Sequence, residues 1–139
     1  NYRGSIWYFA FNGFLDGSIW QKIMGVGPGL LDTVTQAQIA KADFYVEWNW
    51  FYCTAHNDLL EYLVTTGIVG TVLKLLMYIL PYIMYARGKS RKSEKAAVLA
   101  ALTGFIGQGL MTGPYILTYV FYTIFLGVMA AYDLMDKAQ

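Results

Sequence analysis

The sequence predicts an all-α integral membrane protein with about three transmembrane helices, preceded by an extracytoplasmic loop region that carries short amphipathic helices. Apolar residues make up 57% of the 139 residues and charged residues only 14%, whereas soluble domains usually contain about a quarter charged residues. The mean hydropathy is +0.41, and the apolar residues are concentrated in the second half of the chain. This composition favours a membrane protein over a single soluble core.

Residues 1–58 form the predicted extracytoplasmic region. Apolar side chains recur at helical spacing from Arg3 onwards, which predicts a short amphipathic helix. They are Ile6, Trp7, Phe9, Ala10, Phe14 and Leu15. The segment Gly25-Val26-Gly27-Pro28-Gly29 predicts a loop, because glycine and proline at this density disfavour a helix. A dense aromatic run over residues 44–52 is typical of side chains in the lipid headgroup layer and predicts contact with the outer leaflet.

Residues 59–139 form the predicted transmembrane part, with three apolar stretches. The stretches are residues 64–86, 96–112 and 115–132. The first is long enough for a bilayer, which needs about 20 residues of helix. Residues 87–95 hold five basic residues against one acidic residue, so the positive-inside rule predicts that this short loop is cytoplasmic. Gly113-Pro114 predicts a tight outer turn, because proline cannot continue the preceding helix.

The first residue, the net charge and the cysteine and histidine content further limit which classes of protein this chain can belong to. The chain opens on Asn1 without an initiator Met or a signal peptide, so we expect residues 1–139 to be a single C-terminal fragment of a longer polytopic membrane domain. A net charge of +1 argues against a nucleic-acid binder. The lone Cys53 excludes an internal disulfide and is expected to be an ordinary small residue. One histidine and one cysteine supply no recognisable metal site, and no cofactor is expected.

His56 is the only histidine in the chain, and it stands where an aromatic-rich polar stretch meets a long apolar one. If this segment is helical, the eleven residues from His56 to Gly67 make about three turns, which puts Gly67 on the His56 face and Gly70 close to it. An imidazole at the membrane surface suits general base catalysis on a hydroxyl. It could equally be a hydrogen-bonded surface group. Asn57 could orient the imidazole or hold a substrate hydroxyl, or it could cap the following helix together with Asp58.

Arg3 is the second candidate site residue. Its guanidinium presents a planar fork of donors that suits phosphate, and it could neutralise a diphosphate leaving group without a metal. It could also be a solvated or snorkelling side chain. The glycines of the loop, Gly25, Gly27 and Gly29, lack the Lys-Ser/Thr of a P-loop and the spacing of a dinucleotide fingerprint. A turn that allows close backbone approach is the better interpretation.

Lys74 lies inside the first apolar stretch, eighteen residues after His56. A lysine near the middle of a bilayer is costly and normally needs a partner or water. We expect that partner in helices upstream of this chain, and Gln108 is expected to have a similar packing role. Polar groups in lipid can also line a transport pathway.

The order of these motifs resembles the O-antigen ligase/polymerase family of bacterial membrane proteins. The resemblance covers most of residues 3–70 and combines four features in sequence order. These are Arg3-Gly4-Ser5-Ile6-Trp7, the Gly25–Gly29 loop, Ala55-His56-Asn57, and Gly67 with Gly70. Of these, the spacing His-Asn-x9-Gly-x-x-Gly is the most specific. The segment between the glycine loop and His56 is shorter than in the family.

This resemblance implies a metal-independent inverting glycosyltransferase in the bacterial cytoplasmic (inner) membrane. Such an enzyme moves a glycan from a polyprenyl diphosphate carrier to an acceptor hydroxyl at the outer face. The implied partners are the polyprenyl-diphosphate-linked donor, a glycan or lipid-anchored acceptor, and membrane lipid. By position, His56 would be catalytic and would assist the acceptor hydroxyl. Arg3 and Asn57 would bind substrate, and further donor-binding arginines would lie upstream, so the isolated chain is expected to be inactive.

Three alternatives remain open from the sequence. Within the same family, the chain could belong to a ligase or to a polysaccharide polymerase, since both use the same donor chemistry. In a different class, Lys74, Gln108 and the glycine-rich helices could indicate a non-enzymatic membrane transport subunit. An outer-leaflet lipid-binding module is a third and weaker reading, because aromatic belts occur on most membrane proteins.

Overall fold

Every regular element in the described residues is an α-helix, which confirms the all-helical part of the prediction. The structure is a computed structural model that describes residues 3–42, 54–87, 92–112 and 116–137. The helices are α1 (Arg3–Asp16), α2 (Ile19–Met24), α3 (Leu31–Lys41), α4 (Asp58–Thr65), α5 (Gly67–Arg87), α6 (Lys92–Met111) and α7 (Ile116–Lys137). The aromatic run at 44–52, Cys53, residues 88–91 of the basic loop and the Gly113-Pro114 turn lie outside the described residues.

The predicted loop region before His56 is largely helical, in the short helices α1, α2 and α3. A small core joins α1 and α3 to the start of the C-terminal helices; its buried members are Ile6, Ala10, Leu31, Ala55 and Val64. A side chain at Gly13 would overlap the Val34 side chain, so the absence of a Cβ at Gly13 helps α1 and α3 to pack closely. Ser18 begins α2 with a capping box, in which its side chain and that of Gln21 each bond the other's backbone N–H,.

The first predicted membrane stretch, residues 64–86, corresponds to α5 apart from its first residues, which belong to the end of α4. Asn57 caps α4, which ends at Thr65, and α5 starts afresh at Gly67. Gly67 has a φ of 68°, a left-handed conformation that ends the α4 hydrogen-bond pattern and that glycine adopts at little cost. His56 therefore precedes α4 and is not part of a helix that continues to Gly70. The expectation that His56 and Gly67 share one helical face does not hold.

Among the described residues, α5 is the one helix that is long and apolar enough to cross a membrane. Its mean hydropathy is 1.7, and little of it is buried inside the protein. Large side chains along its length are exposed, including Val72, Leu73, Leu76 and Leu80. α6 and α7 contain shorter apolar stretches, Lys95–Met111 and Tyr119–Ala130.

A second core holds α6 and α7 together beside α5. Its buried members are Val98, Leu102 and Tyr122. The ring of Phe105 stacks on that of Tyr122 with a centroid separation of 4.1 Å, and the Tyr122 hydroxyl donates to the carbonyl of Met77 on α5 at 2.9 Å. Aromatic stacking and one long-range hydrogen bond thus connect the three C-terminal helices.

Candidate functional site

His56 is the only non-glycine residue with a positive φ, 49°, among those that the structure describes. This left-handed region is uncommon for residues with a Cβ. Such a conformation persists where the surrounding structure determines it, and it is frequent at functional sites. The residue is half-buried and lies in the short loop of residues 54–57 that leads into α4.

Two side chains from outside the loop fix the backbone around His56. Glu61, one turn into α4, accepts hydrogen bonds from the Thr54 hydroxyl at 2.8 Å and from the Ala55 N–H at 3.0 Å. The Thr54 oxygen in turn accepts from the His56 N–H at 3.3 Å. From α1, the indole N–H of Trp7 donates to the Ala55 carbonyl at 2.8 Å. We call this set of contacts the His56 clamp.

The charge state of Glu61 bears on the clamp. Burial is the largest influence and raises the pKa of the Glu61 carboxyl, while the Thr54 and Ala55 hydrogen bonds act to lower it,. The neighbouring Asp58 also raises the Glu61 pKa, and His56 lowers it. The charge of His56 therefore acts on Glu61, a residue that the sequence alone did not mark as part of the site.

Asn57 is the N-cap residue of α4. Its side-chain oxygen accepts from the Leu60 N–H at 3.0 Å, as expected for an asparagine that satisfies a free donor of the first turn. The capping interpretation is confirmed. A contact between Asn57 and substrate stays a prediction, for which the Nδ2 donor is the group not used in the cap.

Arg3 is exposed in the first turn of α1. It lies four residues before Trp7, so the two side chains share one face of the helix. Since Trp7 contacts the loop before His56, Arg3 projects from the helix face that is turned toward the clamp. Among the described residues, no hydrogen bond or ion pair joins Arg3 to the clamp.

The two glycine motifs meet in space. The N–H groups of Val26 and Gly27 donate to the carbonyls of Val64 and Thr65 at 3.0 and 2.9 Å, which satisfies two acceptors at the end of α4. A side chain at Gly25 would overlap the Thr65 carbonyl, and one at Gly67 would overlap backbone atoms of Ile23 and Gly25. The interpretation as a turn that permits close approach is confirmed, because the loop's N–H groups bind α4.

The outer glycines of the two motifs have smaller roles. Gly29 has a φ of 77°, and a Cβ there would meet nothing within 4 Å, so only its backbone conformation favours glycine. Gly70 lies within α5, where a Cβ would overlap the Thr66 side chain.

A buried polar cluster surrounds Asp58, which the sequence marked only as a possible helix cap. Lys74 lies 3.2 Å from its carboxylate, and Tyr119 donates a hydrogen bond to the same oxygen at 2.5 Å. Tyr78 also donates to it. The ammonium group of Lys74 stands over the Tyr119 ring at 3.7 Å from the centroid, within the range of a cation–π contact.

This cluster corrects the expectation that the partner of Lys74 lies in upstream helices. Asp58 and Lys74 would be about 24 Å apart along one straight helix, so their spacing gave no sign of the pair. The break at Gly67 lets α4 fold beside α5 and removes that separation. The usable signal was an acid six residues before the first apolar stretch and a base in the middle of that stretch.

Gln108 lines a groove between α6 and α7 with a volume of about 440 Å³; its other lining residues are Ala101, Leu102, Phe105, Phe121, Tyr122 and Phe125. The groove is mostly apolar and does not include His56. No group of three or more potential metal-ligating side chains occurs in the part of the chain that the structure covers.

Comparison with known proteins adds no relative to this description. No protein-family model, curated protein or solved structure matches the chain. The function is therefore inferred from the chain's own residues and from the order of its motifs.

Proposed function

We propose that this chain is part of an O-antigen ligase-like glycosyltransferase, which moves a glycan from a polyprenyl diphosphate carrier to an acceptor hydroxyl at the outer face of the cytoplasmic membrane. The observation that carries the proposal is the His56 clamp at the head of α4, the short helix that directly precedes α5, which is long and apolar enough to cross a membrane. The only imidazole of the chain is half-exposed, and its backbone is held in an uncommon conformation by Glu61, Thr54 and Trp7.

The clamp suits a group that must be placed before the substrate arrives. A histidine in this conformation is costly unless other contacts determine it, and here contacts from α1 and α4 do so. An imidazole can take a proton from a hydroxyl near neutral pH. Holding it in advance removes part of the ordering cost of the reaction.

In the proposed reaction the acceptor oxygen attacks the anomeric carbon of the donor glycan. A carbon–oxygen bond forms on one face while the bond to the diphosphate oxygen breaks on the other, so the configuration inverts. His56 accepts the proton of the acceptor hydroxyl. Negative charge grows on the departing diphosphate, and Arg3 stabilises it by charge and by its paired donors. Asn57 holds the acceptor through its Nδ2 group.

The proposed membrane arrangement places His56 at the outer surface. α5 is the first span, and its exposed apolar side chains face lipid, since a surface of this extent is unfavourable in water. α6 and α7 are proposed as the second and third spans, and Arg87 and Lys95 mark the cytoplasmic end of the first two. The start of α5, beside the clamp, then lies at the outer boundary.

Replacement of His56 by Asn tests the proposal. Asparagine tolerates a positive φ better than most residues but does not act as a base, so the backbone of the clamp is preserved while the chemistry is lost. In the full protein we expect glycan transfer to fall at least about 100-fold with normal membrane insertion. Gln36→Asn, at an exposed position of α3, is the matched control and should retain transfer. Normal transfer by the His56→Asn protein would refute the proposal.

Acceptor identity separates a ligase from a polymerase. Both activities use His56 and Arg3 in the same way. Loss of ladder-like glycan lengths in the His56→Asn strain would indicate a polymerase, whereas loss of attachment to the lipid anchor with intact free chains would indicate a ligase.

The transport alternative rests on Lys74, Gln108 and the glycine-rich helices, because polar groups in lipid can line a pathway. Lys74 is buried, only 3% exposed, and paired with Asp58, which favours a role within the packed helices over one in an open pathway. Solute flux that depends on Lys74 and not on His56 would support the transporter instead.

A further inference from the structure

The carboxylate of Asp58 joins the first turn of α4 to two other helices. Lys74 and Tyr78 reach it from α5, and Tyr119 reaches it from α7. Asp58 and Lys74 are 2% and 3% exposed. The ion pair is therefore shielded from the solvent that weakens surface pairs.

The packing of α6 is also adapted to this carboxylate. A Cβ at Gly109 would come within 3.1 Å of the Asp58 Oδ2 atom and 3.0 Å of the Tyr78 hydroxyl. These distances are tighter than most real contacts, so the absence of a side chain at Gly109 allows α6 to approach the cluster. Each of the helices α4 to α7 thus contributes to the surroundings of one carboxylate.

Burial of an ion pair is weak evidence for a role in stability. The desolvation of two charges offsets much of their attraction, and well-packed apolar residues often serve equally well. In some proteins, buried polar or charged groups instead specify one arrangement of helices among several. Within the pair, Asp58 lies two residues after His56 and directly after the Asn57 cap. Any shift of the start of α4 relative to α5 therefore moves the imidazole as well.

We propose that the Asp58–Lys74 pair is a positioning device, which fixes the start of α4 against α5 and α7 and thereby sets the place of the His56 imidazole relative to the membrane span. This inference rests on the proposed function for its link to catalysis. Asp58 and Lys74 are positioning residues in this scheme, since they act through His56 and not on the substrate.

The test compares single and paired substitutions in the full protein. Asp58→Asn and Lys74→Gln each leave the opposite charge buried without its partner. We expect each to lower kcat about tenfold with KM nearly unchanged. Together they form a neutral, hydrogen-bonding pair of similar size, which should restore kcat to within about threefold of the wild type. Full activity of the single variants, or a double variant no better than the singles, would overturn the proposal.

A stability control separates positioning from general damage. Leu102→Ala removes a buried side chain from the core between α6 and α7 and should lower the thermal midpoint. Its kcat should not change. If Leu102→Ala lowers kcat as much as Asp58→Asn at an equal loss of stability, the effect is not one of positioning and the proposal fails.

A second readout does not depend on glycan transfer. In a Cys53→Ser background, a cysteine introduced by His56→Cys reports its exposure through its rate of maleimide labelling. Asp58→Asn and Lys74→Gln should each change that rate at least about threefold, and the double variant should restore it. An unchanged rate in both single variants would refute the positioning role, even if His56→Asn abolishes transfer. Conversely, restoration of the labelling rate in the double variant would support the positioning role even if His56→Asn leaves transfer intact and the proposed function fails.

Discussion

His56 adopts a backbone conformation that costs a residue with a side chain on the order of 1–3 kcal/mol. The hydrogen bonds of the clamp, each worth about 1 kcal/mol net, are comparable in size to this cost. Glu61 contributes two of them, to the Thr54 hydroxyl and the Ala55 N–H. Thr54 also takes part in two, since its hydroxyl donates to Glu61 and accepts from the His56 N–H; the clamp therefore depends chiefly on these two side chains.

Glu61 makes stability depend on pH in a defined direction. Because burial raises its pKa above the ordinary value of 4.5, the folded protein binds this proton more tightly than the unfolded chain. The stabilising contribution is complete below the ordinary pKa and is lost as pH rises through the folded pKa. Glu61→Gln removes the titration and keeps an acceptor. The thermal midpoint of Glu61→Gln, relative to wild type, should therefore be higher at about pH 7.5 than at about pH 4.

Asp16 provides a control in which the stabilising contribution of a carboxyl group depends on pH in the opposite direction. The hydrogen bond and charge of Lys41 lower the pKa of the exposed Asp16 carboxyl, so its stabilising contribution is present above its ordinary pKa and lost as pH falls through the folded pKa. Asp16→Asn should give a lower relative midpoint at about pH 7.5 than at about pH 3, although the effect is small for an exposed pair. A Glu61→Gln difference that does not change with pH would contradict the stated role of burial.

At the scale of elements, the glycine loop and the α4–α5 break form one structural unit. The loop donates two N–H groups to the end of α4, and Gly25 and Gly67 allow the two backbones to touch. The break at Gly67 is what places His56 before a separate helix and folds Asp58 toward Lys74. The close approach of the glycine loop to the α4–α5 break is thus required for both the clamp and the buried Asp58–Lys74 pair.

Substitution of two glycines in the same loop can separate two reasons for a glycine: close approach of another backbone and a positive φ. Gly25→Ala introduces a left-handed alanine and an overlap with the Thr65 carbonyl, so we expect a loss of stability of about 3 kcal/mol or more. Gly29→Ala introduces only the left-handed alanine, since a Cβ there meets nothing within 4 Å. The expected loss of stability is about 1–2 kcal/mol. Urea unfolding in detergent would measure both. Equal losses for the two variants would show that the crossing is not tight.

At the scale of the whole molecule, α1 to α3 pack on one end of the C-terminal helices. Trp7 links α1 to the His56 loop, and the glycine loop after α2 binds the end of α4. Helices α5 to α7 continue away from this end. In the proposed arrangement, the short helices lie outside the membrane and Arg87 lies at its cytoplasmic side.

Site-directed labelling tests this orientation. In the Cys53→Ser background, Gln36→Cys on α3 and Arg87→Cys at the end of α5 place single thiols at exposed positions. An impermeant maleimide should label residue 36 in intact spheroplasts and should label residue 87 only after permeabilisation. Labelling of both sites in permeabilised cells is the control, since it shows that each thiol can react once the reagent reaches it. Labelling of residue 87 from outside would reverse the topology and remove His56 from the outer face.

Several features followed from the sequence alone, because they depend on local physical chemistry. Continuous apolar runs predicted α5, α6 and α7 to within a few residues of their observed ends, and the spacing after Arg3 predicted α1. Asn57 was foreseen as a possible cap. The density of glycine and proline predicted the loop after α2. Each of these depends on near neighbours in the chain, which the sequence displays directly.

Only the tertiary structure decided how these elements meet. It separated α4 from α5 at Gly67, gave His56 its clamp through Trp7 and Glu61, and paired Lys74 with Asp58. Burial, hydrogen bonding and charge pairing at these positions depend on residues far apart in the sequence, and one left-handed glycine sets the direction in which α5 leaves α4. The sequence determined which segments are helical and apolar, whereas close backbone contact at Gly25 and Gly67 determined which side chains face one another.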